Sequence, residues 1–250
     1  MKFTIITACF NSAATISATL RSVSRQTHAD LEHIIIDGGS RDRTLEIVAD
    51  LGERVSIVVS EPDRGIYDAM NKGLARASGD VVAFLNSDDH YAHEGVLARV
   101  TEEFAARQHL DAVFGDVVYF RAGAPEVAVR RYRSGRFRPD RIGWGWVPAH
   151  PASFIRKSVY DRFGVFRTDL RIAGDFEFIA RSFGRGELAY SHVPEIWARM
   201  QLGGASTASL GASLAMNREI LQACKDNGIR TNMFMLGSKY PLKVLEYFLK

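Results

Sequence analysis

Two adjacent acids, Asp88 and Asp89, stand directly behind the apolar run Val81–Leu85, in the stretch Asn86-Ser87-Asp88-Asp89. Neighbouring carboxylates repel unless a cation shares them. Hard divalent ions such as Mg²⁺ or Mn²⁺ suit carboxylate oxygens and need few protein ligands when phosphates complete the shell. A polar turn in which Ser87 or Asp88 caps the next helix would read the same way. A second polar stretch, Asp37-Gly38-Gly39-Ser40-Arg41-Asp42-Arg43-Thr44, offers flexible glycines, backbone N–H groups and, in Asp37, an acceptor for a base or a ribose. A capped helix after a tight turn is the competing reading there. The Walker spacing and the GxGxxG fingerprint are both missing, which removes the main support for a P-loop enzyme or a nicotinamide-dependent dehydrogenase. A third stretch, Glu61 to Gly73, sets a Pro/Gly loop before a helix with an acidic first turn. Gly73 falls inside that helix, where Gly costs about 1 kcal/mol relative to Ala, so a close backbone approach is expected.

The elements that must hold these residues are legible as a period switch. Apolar runs at Lys2–Phe10, Leu31–Ile36, Val55–Val59 and Val81–Leu85 alternate with helical spacing at Ile16, Leu20 and Val23, at Leu45, Val48 and Leu51, at Ile66, Met70 and Leu74, and at Val96, Val100 and Phe104. Strands alternating with helices imply a mostly parallel sheet covered on both faces. The polar stretches cluster where each strand finishes, which is where open α/β sheets bind ligands. Residues 1–100 therefore read as a nucleotide-binding half. Beyond them the alternation breaks down: Ala112–Phe120 and Val127–Tyr132 read as strands, and helical patterns return near Lys157–Phe163, Asp175–Phe183 and Leu214–Asn227, the last stopping at Gly228. One domain over 1–210, with 101–210 as an acceptor half, and a helical extension over 211–250 are expected.

Taken in order, Thr7-Ala8-Cys9-Phe10-Asn11, Ile36-Asp37-Gly38-Gly39-Ser40-Arg41-Asp42, Glu61-Pro62-Asp63-Arg64-Gly65, Asn71-Lys72-Gly73 and Leu85-Asn86-Ser87-Asp88-Asp89 resemble glycosyltransferase family 2. The likeness is strong over residues 2–100 and looser over 145–210. It implies an α/β GT-A (Rossmann-like) fold with a mixed, mostly parallel sheet flanked by helices and a smaller C-terminal helical addition. It also implies an inverting, metal-dependent enzyme that moves a sugar from a nucleoside-diphosphate sugar, with UDP favoured, to a carbohydrate or a polyprenyl-diphosphate-linked glycan in surface polysaccharide assembly. By the same resemblance Asp37 would contact the nucleobase, Thr7 and Asn11 would line the nucleoside pocket, and Asp63 with Lys72 would hold the nucleotide. Asn86-Ser87-Asp88-Asp89 occupies the family's DXD position, with Asp89 as the metal ligand for Mn²⁺ or Mg²⁺ and Asp88 facing the nucleotide sugar. Asn86 stands where many members carry the first acid. Asp175, at a loop entering an apolar helix, matches the family's general base, with Glu177 as the substitute.

Other features read from the residues alone. His150 lies near Trp144 and Trp146, where rings could stack on a sugar and His150 could touch a diphosphate or the acceptor; a core histidine with structural tryptophans competes equally. Arg130, Arg131, Arg133, Arg136, Arg138 and Arg141 form the strongest local charge asymmetry, which could meet an anionic membrane face or a lipid diphosphate, or simply be solvated. The segment Tyr240–Lys250 is basic, aromatic and apolar, suited either to a membrane surface or to docking on the core. With 32 basic and 29 acidic residues the net charge is only +3, and no RNA-binding signature accompanies the arginines, so nucleic acid is not an expected partner. Cys9 and Cys224 read as two reduced core thiols. No run reaches the roughly 18 apolar residues of a membrane span, so a cytoplasmic protein is expected, with peripheral contact to the inner face of the cell membrane left open. A sugar nucleotidyltransferase lacks its Gly-rich N-terminal phosphate loop here; a noncatalytic nucleotide-sugar-binding protein is the other rival.

Overall fold

The structure is a computed structural model and describes residues 1–203 and 210–239. Tyr240–Lys250 therefore lies outside the described residues. Four strands, β1 (Phe3–Cys9), β2 (Leu31–Asp37), β3 (Val55–Ser60) and β4 (Val81–Phe84), are joined by helices α1 (Ile16–Ser24), α2 (Thr44–Leu51) and α3 (Ile66–Leu74). β1 pairs in parallel with both β2 and β4, and β2 pairs in parallel with β3. Every residue of β1 is buried, as a strand covered on both faces requires, whereas β3 alternates between half-buried and exposed because it is the edge. Successive β1 side chains serve opposite layers: Phe3 and Ile5 pack with Leu97, Phe104 and Phe154, while Ile6 packs with Ile34, Met70 and Leu74.

The second half adds β5 (His90–Tyr91), α4 (Val96–Ala106), β6 (Ala112–Phe120), β7 (Arg130–Tyr132), β8 (Ser153–Arg156), α5 (Lys157–Phe163), α6 (Gly174–Phe183), β9 (Tyr190–Gln201), α7 (Leu210–Asp226) and α8 (Met233–Gly237). The sheet runs β3-β2-β1-β4-β8-β6-β9-β5, with β7 on β6. It is parallel at the β3 end and mixed beyond β4, where β8 lies antiparallel to both β4 and β6. β7 is shorter than the expected 127–132, and β5, β8 and β9 were not read from the sequence at all. β9 hides because Pro194 and Glu195 interrupt its apolar alternation, and its pairing with β6 shifts register around Asp116. Gly115 makes that pairing fit, since a Cβ there would lie 2.4 Å from the Trp197 ring.

Gly73 has the close contact expected of it, but with the core: its missing Cβ would sit 2.5 Å from Ile6 Cγ2 and 3.3 Å from Ile36 Cγ1. Gly73→Ala is expected to cost about 1–3 kcal/mol by overpacking, read as a lower denaturation midpoint with an unchanged slope. Cys9 and Cys224 are buried free thiols; burial pushes Cys9 up to about 12. Gly228 takes the left-handed conformation just past α7, as a C′ glycine does. No helix among the described residues is long and apolar enough to cross a membrane.

Candidate functional site

Hydrogen bonds lace the loops that follow β1 to β4 into one rim. Asn11, left-handed with φ 49°, donates its N–H to Ser40 Oγ at 2.7 Å and accepts the Arg41 N–H at 2.9 Å. Ser12 N–H donates to Thr44 Oγ1 and Ala13 N–H to Asp42 Oδ2. Ser12 and Ser87 hydroxyls meet at 2.8 Å, which ties the first loop to the acidic turn. Ser60 donates to Asp37 Oδ2, and Glu61 N–H to the Asp37 carbonyl. Gly38 closes the corner: a Cβ there would fall 2.4 Å from Asp63 Oδ2 and 3.4 Å from the exposed Phe10 ring.

This lacing reassigns several expected contacts. Asp37 is fully buried and its carboxylate accepts from Gly39 N–H, Ser40 N–H, Ser40 Oγ and Ser60 Oγ. Burial pushes its carboxyl up, but these donors outweigh that and hold it below the usual range. Its side chain is held inside the rim by these four donors. The carboxylate in the space beside Gly38 belongs instead to Asp63, whose Oδ1 accepts Gly65 N–H at 2.8 Å. Thr7 is fully buried, donating to the Leu85 carbonyl at 2.7 Å and meeting His33 Nε2 at 3.0 Å. Lys72 donates to the Pro62 carbonyl and pairs with Glu61 at 3.0 Å, pinning the 61–65 loop to α3.

The acidic turn keeps unspent oxygen. Asn86 Oδ1 is buried and has no hydrogen-bond partner among the described residues. Asp88 is half-buried, and burial pushes its carboxyl up. Asp89 is buried, accepts the Gln201 N–H at 3.2 Å from the end of β9, and is pushed up by burial and then by the charge of Asp88. Two crowded, desolvated carboxylates beside an orphaned amide oxygen are a donor set that fits a hard divalent cation. Among the described residues no third His, Cys, Asp or Glu joins them, so bound phosphate or water must fill the other positions.

Asp175 opens α6. Its Oδ1 accepts the Phe176 N–H at 2.8 Å and the Tyr67 hydroxyl at 3.1 Å, a proton that Tyr67 shares with the Ile172 carbonyl at 2.8 Å. Gly174 permits this approach, because a Cβ there would lie 2.7 Å from the Tyr67 ring. Glu219 on α7 accepts the N–H groups of Arg171, Ile172 and Ala173 and so fixes the loop entering α6. Tyr67, Gly174 and Glu219 were missed in the sequence, since each acts through a partner about 45 to 110 residues away. Glu177 is no substitute base: it is buried and paired with Arg181 at 3.0 Å. Tyr67→Phe keeps the ring and removes one bond to a charged acceptor, so kcat is expected to fall about tenfold with donor KM unchanged, as steady-state kinetics will read.

His150 stacks on Phe84 with centroids 5.3 Å apart, and its buried Nε2 has no hydrogen-bond partner among the described residues. It shares with Asp175, Tyr160 and Phe166 the lining of a cavity of about 10 Å³. Burial pulls its pKa down, against the opposing charge of Asp175. The ring thus shares the surroundings of Asp175. Trp146 is buried under the Arg136 guanidinium, 5.1 Å from its ring, which leaves no free face for a sugar; Trp144 is 39% exposed. The arginine run also divides. Arg131 pairs with buried Asp116 at 2.7 Å, beside His192, and Arg130 covers Tyr119, while Arg133, Arg138 and Arg141 are exposed.

Residues 4–164 match the family described as Glycosyl transferase family 2. The chain belongs to that family. A PGL/p-HBAD biosynthesis glycosyltransferase of Mycobacterium bovis is 35% identical over 201 residues, covering 76% of this chain and 74% of its own length. An uncharacterized glycosyltransferase of Mycobacterium tuberculosis is 32% identical over 185 residues, with 71% and 67% covered. Among solved structures, a mannosyltransferase of Pyrobaculum calidifontis in complex with GDP-Man and Mn²⁺ has a TM-score of 0.67 at 18% identity, over 99% of this chain and 69% of that one. S. aureus TarS 1–349 gives 0.65 at 19% identity; the match covers 89% of this chain and 65% of that one. These likenesses show the GT-A fold, the mixed α/β sheet with C-terminal helices expected from the sequence. This family-2 member is a glycosyltransferase.

Proposed function

We propose that the chain transfers a sugar with inversion from a nucleoside-diphosphate donor, UDP-linked, to a glycan or lipid-linked glycan hydroxyl. The observation that carries this is the pairing of two half-sites through α3. The loop leading into α3 is laced to Asp37 through Glu61, the same rim reaches the acidic turn through Ser12 and Ser87, and Tyr67 in the first turn of α3 holds Asp175. Asp63 and Phe10, beside Gly38, face the nucleoside, and Asn11 fixes the loop behind them. Asp88 and Asp89 would hold a Mn²⁺ or Mg²⁺ ion, which when bound would supply positive charge against the departing diphosphate. Asp175 takes the acceptor hydroxyl proton on its free oxygen as the new glycosidic bond forms and the nucleoside diphosphate leaves with the electron pair of the broken bond. The solved neighbours lend support by kind: TarS was crystallised with UDP-GlcNAc, and a glucosyl-3-phosphoglycerate synthase of Mycobacterium tuberculosis with Mn²⁺, UDP and phosphoglyceric acid. Protection against thermal unfolding by a set of nucleotide sugars, with and without Mn²⁺, tests the donor. At a hundredfold excess over Kd a rise of about 5–10 °C is expected for a UDP-sugar with the ion. No shift with any nucleotide sugar sinks the proposal.

A further inference from the structure

The 3-10 turn Pro139–Trp144 and the segment entering α8 are built against each other. Thr231 Oγ1 donates to the Gly143 carbonyl at 2.6 Å, the Arg230 carbonyl fills the space where Gly143 would carry a Cβ, and Leu236 lies 3.3 Å from the corresponding point on Gly145. Leu236 is wholly buried, and Asn232 caps the short helix by accepting the Met235 N–H at 2.9 Å. That anchoring turns the neighbouring side chains outward. Phe234 is 81% exposed, Met233 47%, and Trp144 belongs to the same pair of elements. No other exposed large hydrophobic in the described chain stands out as far as Phe234. Around them Arg141 and Arg230 are exposed and make no ion pair among the described residues, while Arg138 is offset by Asp140 at 3.3 Å. The Arg230 carbonyl against Gly143 brings the residue 230 segment onto the turn that carries Arg141, a placement sequence spacing alone could not give.

We propose that this face docks on an anionic lipid surface, with Phe234 and Met233 entering the headgroup boundary and Arg141 and Arg230 meeting lipid phosphates. The apolar tips protrude from a five-residue helix rather than line a groove. Two such side chains are too few to bury the roughly 800 Å² per partner that a stable second copy needs, whereas aromatic tips ringed by arginine are what an interfacial anchor uses. Six residues of chain connect Trp144 on this face to His150, which lines the cavity beside Asp175.

Flotation of the full chain with vesicles reads this directly, and it involves neither donor nor acceptor, so its outcome is separate from that of the transfer reaction. The wild type is expected to bind vesicles containing about one-third phosphatidylglycerol at least tenfold better than pure phosphatidylcholine, with binding lost at high salt. Phe234→Ser is expected to lower binding roughly tenfold or more, and Arg141→Gln with Arg230→Gln roughly thirtyfold together. Val127→Ser, at an exposed valine elsewhere, should change nothing. Equal binding to neutral vesicles, full binding by Phe234→Ser, or a concentration-dependent dimer abolished by Phe234→Ser would each overturn the proposal. Unaltered melting temperatures in the variants certify that the fold is intact.

Discussion

Asp175→Asn is expected to slow sugar transfer by roughly 10²–10⁴-fold while leaving donor affinity unchanged. The amide is isosteric and can still accept the Tyr67 hydroxyl and the Phe176 N–H on its oxygen, so the first turn of α6 keeps its geometry. What it loses is the capacity to take a proton. Single-turnover transfer beside donor binding by calorimetry separates these effects. A noncatalytic nucleotide-sugar-binding protein would show no loss of any turnover on this substitution, and unchanged turnover would overturn the base assignment. Glu177 offers no rescue, because Arg181 and Asn227 engage its carboxylate in the interior.

Removing the acids of the turn should have the opposite signature. Asp88→Ala is expected to abolish the Mn²⁺-dependent part of donor binding, a loss of about a hundredfold or more for a ligand held through a shared cation, with little change in stability. Burial already disfavours the charged Asp88 side chain, so its removal relieves a repulsion with Asp89 in the metal-free protein. Asp89→Ala should also lose cation-dependent binding, but at a cost in stability, because Asp89 anchors the end of β9 through the Gln201 N–H. Calorimetric titration of UDP with and without Mn²⁺ reads the binding loss in both variants, and their thermal unfolding midpoints tell the two apart. Retention of the full metal effect in both would exclude this turn as the cation site.

The first hundred residues were readable because their chemistry and their fold share one code: apolar runs of strand length end at polar stretches, and parallel strands bring those ends to one edge. That code puts Asp63, Asn86 and Asp88 in the loops that follow the strands, where the structure has them. It could not tell which oxygens remain free, since Asp37 and Asp63 look alike in sequence and differ only in that Ser40 and Ser60 consume the former. The second half was harder for a physical reason. β9 alternates imperfectly, and its role depends on a register shift against β6 and on the absent Cβ of Gly115. The seat of Asp175 depends on Glu219 and Tyr67, whose contacts arise only after the chain has folded.

A crystal structure of the chain with UDP and Mn²⁺ bears most directly on the shared site. The diphosphate and the ion should lie against Asp88, with the uracil beside Phe10 and Asp63 and the β-phosphate turned toward Asp175. Nucleotide bound away from the β1–β4 loop ends, or an ion coordinated without Asp88 or Asp89, would contradict it.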